Sequence, residues 1–405
     1  MKNLPMSKNT DVLKQEFIVD GITIPNRLTI QPMEGADGTK DGSPGGLTLR
    51  RYDRFAKGGA GLIWYEAVAV EHEGRANPHQ LWMHEKNLDD FKRQVARIRN
   101  LAKDEAQPNP VIILQATHSG RYSKPNGGTF EPIIACNNPI YEKDGPLPAG
   151  RIVTDDHLRC LEESYATATR LAISAGFDGI DIKACHRYLV GELLSAHTRE
   201  GFYGGPLENR MRFFANAVGQ ARAIASPGFI VTTRMNIFDG IPYPYGFGAN
   251  ENAEPVMDEP IEVIKALKFS MVNISMGNPY FNPNVNRPTD LAAVERMYSL
   301  TKHVRDACDG VKIVASAPTF MRGDAPYLSA GAVEQDYADS VGFGRLAFAY
   351  PNFAKDMLNG RFDEKMVCVT CGKCTELMRG SKAGCAVRDS VYTELYRELK
   401  ERQQK

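Results

Sequence analysis

Between Asp178 and Arg210 the chain reads DGIDIKACHRYLVGELLSAHTREGFYGGPLENR. Lys183, Cys185, His186 and Tyr188 fall within six residues there, directly after the apolar run Gly179-Ile180-Asp181-Ile182. A lysine polarises an oxygen as a point charge, or forms a Schiff base when desolvation lowers its pKa. Histidine and tyrosine move protons. Any one of them alone would read as a half-buried loop residue. Clustered at the carboxyl end of a strand, where parallel α/β folds bind their ligands, they read as a site. A second cluster lies near the end of the chain. Cys368, Cys371 and Cys374 are separated by two residues each, and Cys385 follows after ten more. Thiolates so spaced suit a 4Fe–4S cluster or a structural zinc. Cys136, Cys160, Cys185 and Cys308 have no such spacing.

Other apolar runs also end in polar groups. Gln115 closes Pro110–Gln115, and Arg234 closes Phe229–Arg234. Arginine brings a fixed charge with paired donors, and glutamine donates and accepts at once. Together they suit a planar heterocycle with carbonyls and ring nitrogens, such as a flavin. The last two runs end in Ala315-Ser316-Ala317 and Gly342-Phe343-Gly344-Arg345. Small residues there let backbone N–H groups approach an anion, a recurrent phosphate site after strands seven and eight of a barrel.

The elements that must position these groups follow from periodicity. Phe17 to Ile24, around Asp20-Gly21, reads as a hairpin. Eight short apolar strands follow, beginning at Arg27, Gly61, Pro110, Gly179, Phe229, Ser270, Val311 and Asp339. Helical patterns separate most of them, among them Leu49–Lys57, Leu88–Lys103, Asp155–Ser174 with Thr154 as cap, Leu207–Ala225, Pro260–Lys268 and Asp290–Ala307. The pattern spells an α/β protein, a (β/α)8 TIM barrel, with a doubly wound sheet as the alternative. Residues 1–360 form the barrel domain. Residues 361–405 form a Cys-rich metal- or cluster-binding extension with a terminal helix, Ser390–Gln403. The excursions 118–150 and 236–258 are long enough to be functional walls. Lys+Arg and Asp+Glu both number 49 in 405 residues, which gives no support for a nucleic-acid or anionic-membrane partner. No apolar run approaches a membrane span, and the N-terminal stretch lacks an apolar signal core, so a cytoplasmic protein is expected.

At this point the chain resembles the Old Yellow Enzyme family, and within it the branch like 2,4-dienoyl-CoA reductase and trimethylamine dehydrogenase. The resemblance runs from about Ile24 to Arg388. It is carried by Pro25-Asn26-Arg27 leading to Pro32-Met33, by Gly58–Ile63, by Gln115–Arg121, by Tyr203–Arg210 and by Gly342–Arg345. It implies that FMN binds with Pro32 and Met33 along the flavin and Gln115 at its pyrimidine end. Arg234 would sit near the N1/O2 edge, with Ser316, Gly344 and Arg345 on the phosphate. Tyr188 falls where the family has its proton donor. The resemblance also implies a 4Fe–4S cluster on the four clustered cysteines, zinc being the minority alternative. This sequence departs from the family in three places. Lys183 and His186 stand where a His and an Asn or His usually bind the substrate carbonyl. Arg187 replaces a Gly, which would reshape the pocket entrance. Glu34 after Pro-Met is unusual beside a flavin and suits a second acid–base group.

The expectation is therefore an FMN-dependent ene-reductase. Hydride would pass from reduced flavin to the C=C of an α,β-unsaturated carbonyl compound, with Lys183 and His186 on the carbonyl oxygen and Tyr188 as proton donor. The rings of the two excursions suggest a bulky apolar enone such as a steroid. Two rival readings are a Schiff-base lyase or aldolase using Lys183, and an iron–sulfur electron-transfer subunit. No G-x-G-x-x-G follows a strand. Electrons are thus expected directly from NAD(P)H or from an electron-donor protein through the cluster. NADH versus NADPH, and whether the protein is a homo-oligomer, are left open.

Overall fold

Parallel strands buried on both faces must be apolar throughout, and in this protein they are. The computed structural model describes residues 3–316, 319–380 and 382–404. A two-stranded antiparallel hairpin comes first, β1 (Phe17–Val19) and β2 (Ile22–Ile24). Eight strands then close into a parallel barrel: β3 (Leu28–Ile30), β4 (Leu62–Ala69), β5 (Val111–Thr117), β6 (Gly179–Ile182), β7 (Ile230–Phe238), β8 (Met271–Met276), β9 (Lys312–Ser316) and β10 (Ser340–Phe343). Each pairs with the next, and β10 pairs with β3. Apart from the two ends of β9, every residue of these eight strands is buried. The expected (β/α)8 barrel is the observed fold.

The connecting helices are α1 (Gly46–Ala56), α2 (Leu88–Asp104), α3 (Asp155–Ala175), α4 (Leu189–Leu194), α5 (Leu207–Arg210), α6 (Arg212–Ile224), α7 (Asp258–Leu267), α8 (Pro283–Asn286), α9 (Leu291–Ala307), α10 (Ala325–Glu334), α11 (Arg345–Ala349) and α12 (Phe353–Leu358). The Cys-rich segment adds α13 (Lys373–Arg379) and α14 (Ser390–Gln403). Thr154 caps α3 by accepting from His157 N at 3.1 Å, and Gly176 ends that helix in the left-handed region. The expected helix Leu207–Ala225 is broken at Met211. The reason is Arg210, whose buried guanidinium turns inward to Glu259 and to the carbonyls of Gly205 and Leu194. β4 and β7 outrun their expected ends, each through a register shift near its carboxyl end, so the barrel rim stands higher there.

The core has two parts. Leu62, Trp64, Val111, Ile113, Ile230, Met271 and Val314 point into the barrel and pack on Phe17, Val19 and Ile24 of the hairpin. The hairpin thus plugs the amino-terminal mouth. Neighbouring strand residues of opposite parity, such as Ile63, Tyr65, Ile112 and Leu114, face the helices. Each such fully buried aliphatic side chain stabilises the fold by about 1.5–3 kcal/mol relative to exposure. With its amino-terminal mouth plugged, the barrel leaves its carboxyl-terminal mouth as the open end. Among the described residues no helix is long and apolar enough to cross a membrane.

Candidate active site

The floor of the mouth is built from amide and carboxylate groups that lock one another. Asp181 of β6 is fully buried and accepts three hydrogen bonds, each of 2.7 Å, from Trp64 Nε1, Gln115 Nε2 and Arg234 N. Burial pushes its carboxyl up to about 6 against these bonds. Gln31 and Asn273 pair through both their amide groups, at 2.8 and 3.1 Å. Side chains of β4, β5, β6 and β8 are therefore fixed before any ligand arrives.

Above this floor opens a cavity walled by residues from every barrel strand or the loop that follows it. Eleven of the barrel residues singled out in the sequence line it, Pro32, Met33, Glu34, Gln115, Lys183, His186, Tyr188, Arg234, Ser316, Gly344 and Arg345, while Cys185 and Arg187 do not. Ala317 lies outside the described residues. The Ser316 hydroxyl donates to Ile274 O at 2.8 Å. A Cβ at Gly344 would stand 2.7 Å from Met33 Sδ, so Met33 would have to shift to admit one. Four cations face the space, Lys183, Arg234, Arg287 and Arg345, against one acid, Glu34. Arg234 is buried, its Nε has no partner among the described residues, and burial pulls its pKa down. A cradle of this kind suits an anionic, planar, acceptor-rich group carrying a phosphate, and FMN fits it.

The proton-capable groups meet on one wall. The Tyr188 hydroxyl stands 3.3 Å from Glu34 Oε2, to which it donates, and 3.1 Å from the Tyr280 hydroxyl. Lys183 Nζ lies over the Tyr188 ring, 3.6 Å from its centroid. Asn77 Nδ2 donates to Glu34 Oε1 at 3.4 Å. Burial raises the Glu34 pKa, opposed by the Lys183 charge, and burial with Glu34 alongside raises Tyr188 well above the ordinary phenol value. Lys183 is lowered by burial. His186 Nε2 accepts from Asn286 Nδ2 at 3.2 Å and lies 3.1 Å from Ser275 Oγ. Burial and the charges of Arg234 and Lys183 hold His186 well below the ordinary histidine value. An acceptor Nε2 leaves Nδ1 as the ring nitrogen that can donate.

His186 and Arg187 both adopt left-handed backbone, at φ 63° and 61°. This strained turn aims His186 at the cavity and Arg187 away from it. Arg187 pairs with Asp239, bonds the Ser195 hydroxyl and packs on the Tyr141 ring. It is not on the cavity wall, so the expected effect of Arg187 on the entrance is corrected. A second correction concerns the walls. No residue of 118–150 or 236–258 lines the cavity. The second excursion folds on itself through Asp239–Phe247 and Tyr243–Asn250 backbone bonds, and it buries Phe238 and Phe247 in the core. The first stands behind the site, with the Tyr122 ring 4.4 Å from that of Tyr280 and Tyr141 against Asn278 and Phe281. The segment after β8 forms the wall instead, with Pro279, Tyr280, Asn286, Arg287 and Pro288. Gln31, Tyr280 and Arg287 were missed in the sequence. Only the polar end of the first strand could have revealed Gln31, and nothing local marked the other two.

The four clustered cysteines, with Arg345 and Phe348, line a second, smaller cavity. Cys374 lines both cavities. Backbone N–H groups of Thr370 and Arg388 point at Cys368 Sγ and Cys385 Sγ, each at 3.4 Å. Burial raises the Cys368 and Cys374 thiols, and Arg345 pulls both back. Among the described residues no three His, Cys, Asp or Glu side chains close on a point where one metal ion would sit. Four thiols around one cavity are the donor set that either a cluster or a zinc would need. The segment is tied to the barrel by Ala383 N to Gly35 O at 2.9 Å, by Arg287 Nη1 to Thr375 Oγ1 at 2.9 Å, and by Arg50 and Arg54 on Asp389.

Comparison with known proteins agrees with this geometry. NADH oxidase of Thermoanaerobacter brockii is 25% identical over 407 residues, covering 95% of this chain; the chain spans 57% of that protein. The solved 2-naphthoyl-CoA reductase in complex with 2-naphthoyl-CoA superposes with a TM-score of 0.80 at 19% identity, over 95% of this chain and 58% of that one. The old yellow enzyme homologue of Zymomonas mobilis superposes at 0.66 with 21% identity, over 86% of this chain and 92% of that one. These two structures share the fold. Residues 16–364 match the family described as NADH:flavin oxidoreductase / NADH oxidase, and the chain belongs to that family.

Proposed function

We propose that this chain is an FMN-dependent ene-reductase acting on α,β-unsaturated carbonyl compounds, with NAD(P)H as electron donor. The observation that carries the reading is the charge of the main cavity. Four cations face one carboxylic acid, and among the described residues none of the four forms an ion pair. A phosphate and a reduced, anionic ring would supply the missing negative charge. Pro32 and Met33 would flank the ring, Gln115 would bond its pyrimidine end, and Arg234 would face its N1/O2 edge. Ser316, Gly344 and Arg345 would hold the phosphate. Bound FMN supplies hydride chemistry that no side chain can provide. Lys183 and the Nδ1–H of His186 hold the carbonyl oxygen and stabilise the enolate charge. Tyr188 delivers the proton to the α-carbon. The cations disfavour an ammonium substrate. The steroid-sized pocket inferred from the excursions has no support, since neither excursion lines the cavity.

Cys368, Cys371, Cys374 and Cys385 would ligate a 4Fe–4S cluster against the flavin cavity, open to an electron-donor protein. A Schiff-base role for Lys183 leaves Arg234 and Arg345 without a purpose.

The test is a spectrum followed by rapid mixing. Purified under anaerobic conditions, the protein should show bound flavin and contain iron and sulfide. Tyr188→Phe should slow reoxidation by 2-cyclohexenone on the order of a hundredfold, while reduction by NAD(P)H changes little. Protein that takes up no flavin on reconstitution would end this reading. Stoichiometric zinc without iron would replace the cluster by a structural metal.

A further inference from the structure

Glu34 is the only acid among the described residues that line the main cavity. It is oriented from behind. The N–H of Gly35 donates to Glu66 Oε2 at 2.6 Å, and Glu66 is held by Arg51, which also pairs with Asp37. In front of Glu34 stand Lys183 from the end of β6, Tyr188 from the start of α4 and Tyr280 from the segment after β8. Asn77, uncharged, is its remaining side-chain partner.

A tyrosine that gives up its proton in this wall leaves a phenolate in a buried place, beside a carboxyl group. Burial and Glu34 both oppose that charge. A charge left on Glu34 instead faces the Lys183 ammonium, which favours it. The 3.3 Å contact between Glu34 Oε2 and the Tyr188 oxygen serves such a transfer with the donor reversed once the carboxyl carries a proton.

We propose that Glu34 supplies the proton that Tyr188 delivers, so that the two act as a relay and not as a lone tyrosine. This rests on the reading of Tyr188 as donor to the substrate. In the step, hydride from the reduced flavin forms the C–H bond at the β-carbon. The Tyr188 O–H bond breaks as the C–H bond at the α-carbon forms. The Glu34 Oε2–H bond breaks as the Tyr188 O–H bond reforms, leaving a Glu34 carboxylate beside Lys183. Water returns the proton to Glu34 by way of the Tyr280 hydroxyl and then that of Tyr188, which stand 3.1 Å apart, the Tyr188 oxygen lying 3.3 Å from Glu34 Oε2. Glu34 is a positioning residue here, since it acts through Tyr188.

Glutamine at position 34 keeps an acceptor for the tyrosine but carries no transferable acid proton. In the FMN-loaded protein, reoxidation by 2-cyclohexenone should slow in Glu34→Gln on the order of a hundredfold, the lower end of general-acid effects. The wild-type rate should fall as pH rises through the Glu34 pKa, and that dependence should vanish in Glu34→Gln and return in Glu34→Asp. The proton inventory in mixed H2O and D2O should be curved for wild type and linear for Glu34→Gln. Without flavin, the wild-type minus Glu34→Gln infrared difference spectrum should show one protonated-carboxyl band, set apart from those of other buried acids such as Asp181 and Glu66. Unchanged rate, pH profile and inventory in Glu34→Gln, with Tyr188→Phe still slow, would overturn the relay and leave the enone reading standing. A fast Tyr188→Phe would overturn the enone reading itself. If Glu34→Gln does not fold, the wild-type minus Glu34→Asp infrared difference decides, and the absence of a displaced protonated-carboxyl band would overturn the proposal.

Discussion

Asp181 holds three donors from three strands and touches no ligand-sized space. Its cost and its use can be separated by pH. A carboxyl whose folded pKa is raised to about 6, from an ordinary 3.8, binds more protons folded than unfolded between those values. Stability from this group is thus fully present below the unfolded pKa and declines as pH rises through 6, by about 3 kcal/mol in all. Asp181→Asn should flatten that part of the stability-versus-pH curve while lowering stability at pH 7, because an amide cannot accept all three bonds. Denaturant unfolding at pH 4 to 7 measures both, and an unaltered slope would show that Asp181 is not the group titrating. At this scale the sequence was informative where polar residues break an apolar strand end, as with Lys183, His186, Tyr188, Gln115 and Arg234. It was silent on Tyr280 and Arg287, which sit in a loop whose path depends on what lies beneath it. It also misjudged Arg187, because two adjacent left-handed residues reverse the direction a side chain takes, and no local rule announces them.

Among the elements, the strands were the most legible, since a strand buried on both faces has to be an unbroken apolar run. The loops were the least. Rings in the excursion 236–258 signalled a substrate wall, but Phe238 and Phe247 pack into the main core and none lines the cavity. Among the ties that seat the Cys-rich segment, one residue carries the ion pairs. Asp389 is almost fully buried, pairs with Arg50 and Arg54 of α1, and caps α14 by accepting from Val391 N at 3.1 Å. The two arginines are about one-third exposed, which limits what the pairs contribute. Asp389→Ala should cost about 2–3 kcal/mol, from the lost cap and the broken pairs. Hydrogen exchange should accelerate across Ser390–Gln403 while the barrel strands stay protected. Equal protection in both proteins would show that the segment is held by its apolar contacts, Leu377, Ala386 and Tyr392.

For the molecule as a whole, a prebuilt and positively charged cavity means that the cofactor should act as a clamp on the folded state. FMN at about a hundred times its Kd should add about 2.7 kcal/mol and raise the melting temperature by about 3 °C. Arg345→Ala should lose most of that shift, as read by thermal unfolding with and without FMN; an equal shift in the variant would place the phosphate elsewhere. The closed ring has a further consequence, for how the chain is made. β3 pairs with β10, and Thr29 Oγ1 meets Ser340 Oγ at 2.7 Å across 311 residues of sequence. At roughly 5–20 residues per second, a ribosome needs on the order of 15–60 s to bring the second partner out after the first. Until then β3 leaves one edge unpaired, and the barrel is an open, apolar sheet. Such an edge is a template for pairing with another nascent chain, and the high contact order makes closure slow. Newly synthesised copies are therefore at their most vulnerable to aggregation just before the residues of β10 emerge, and dependence on chaperones should be concentrated in that interval.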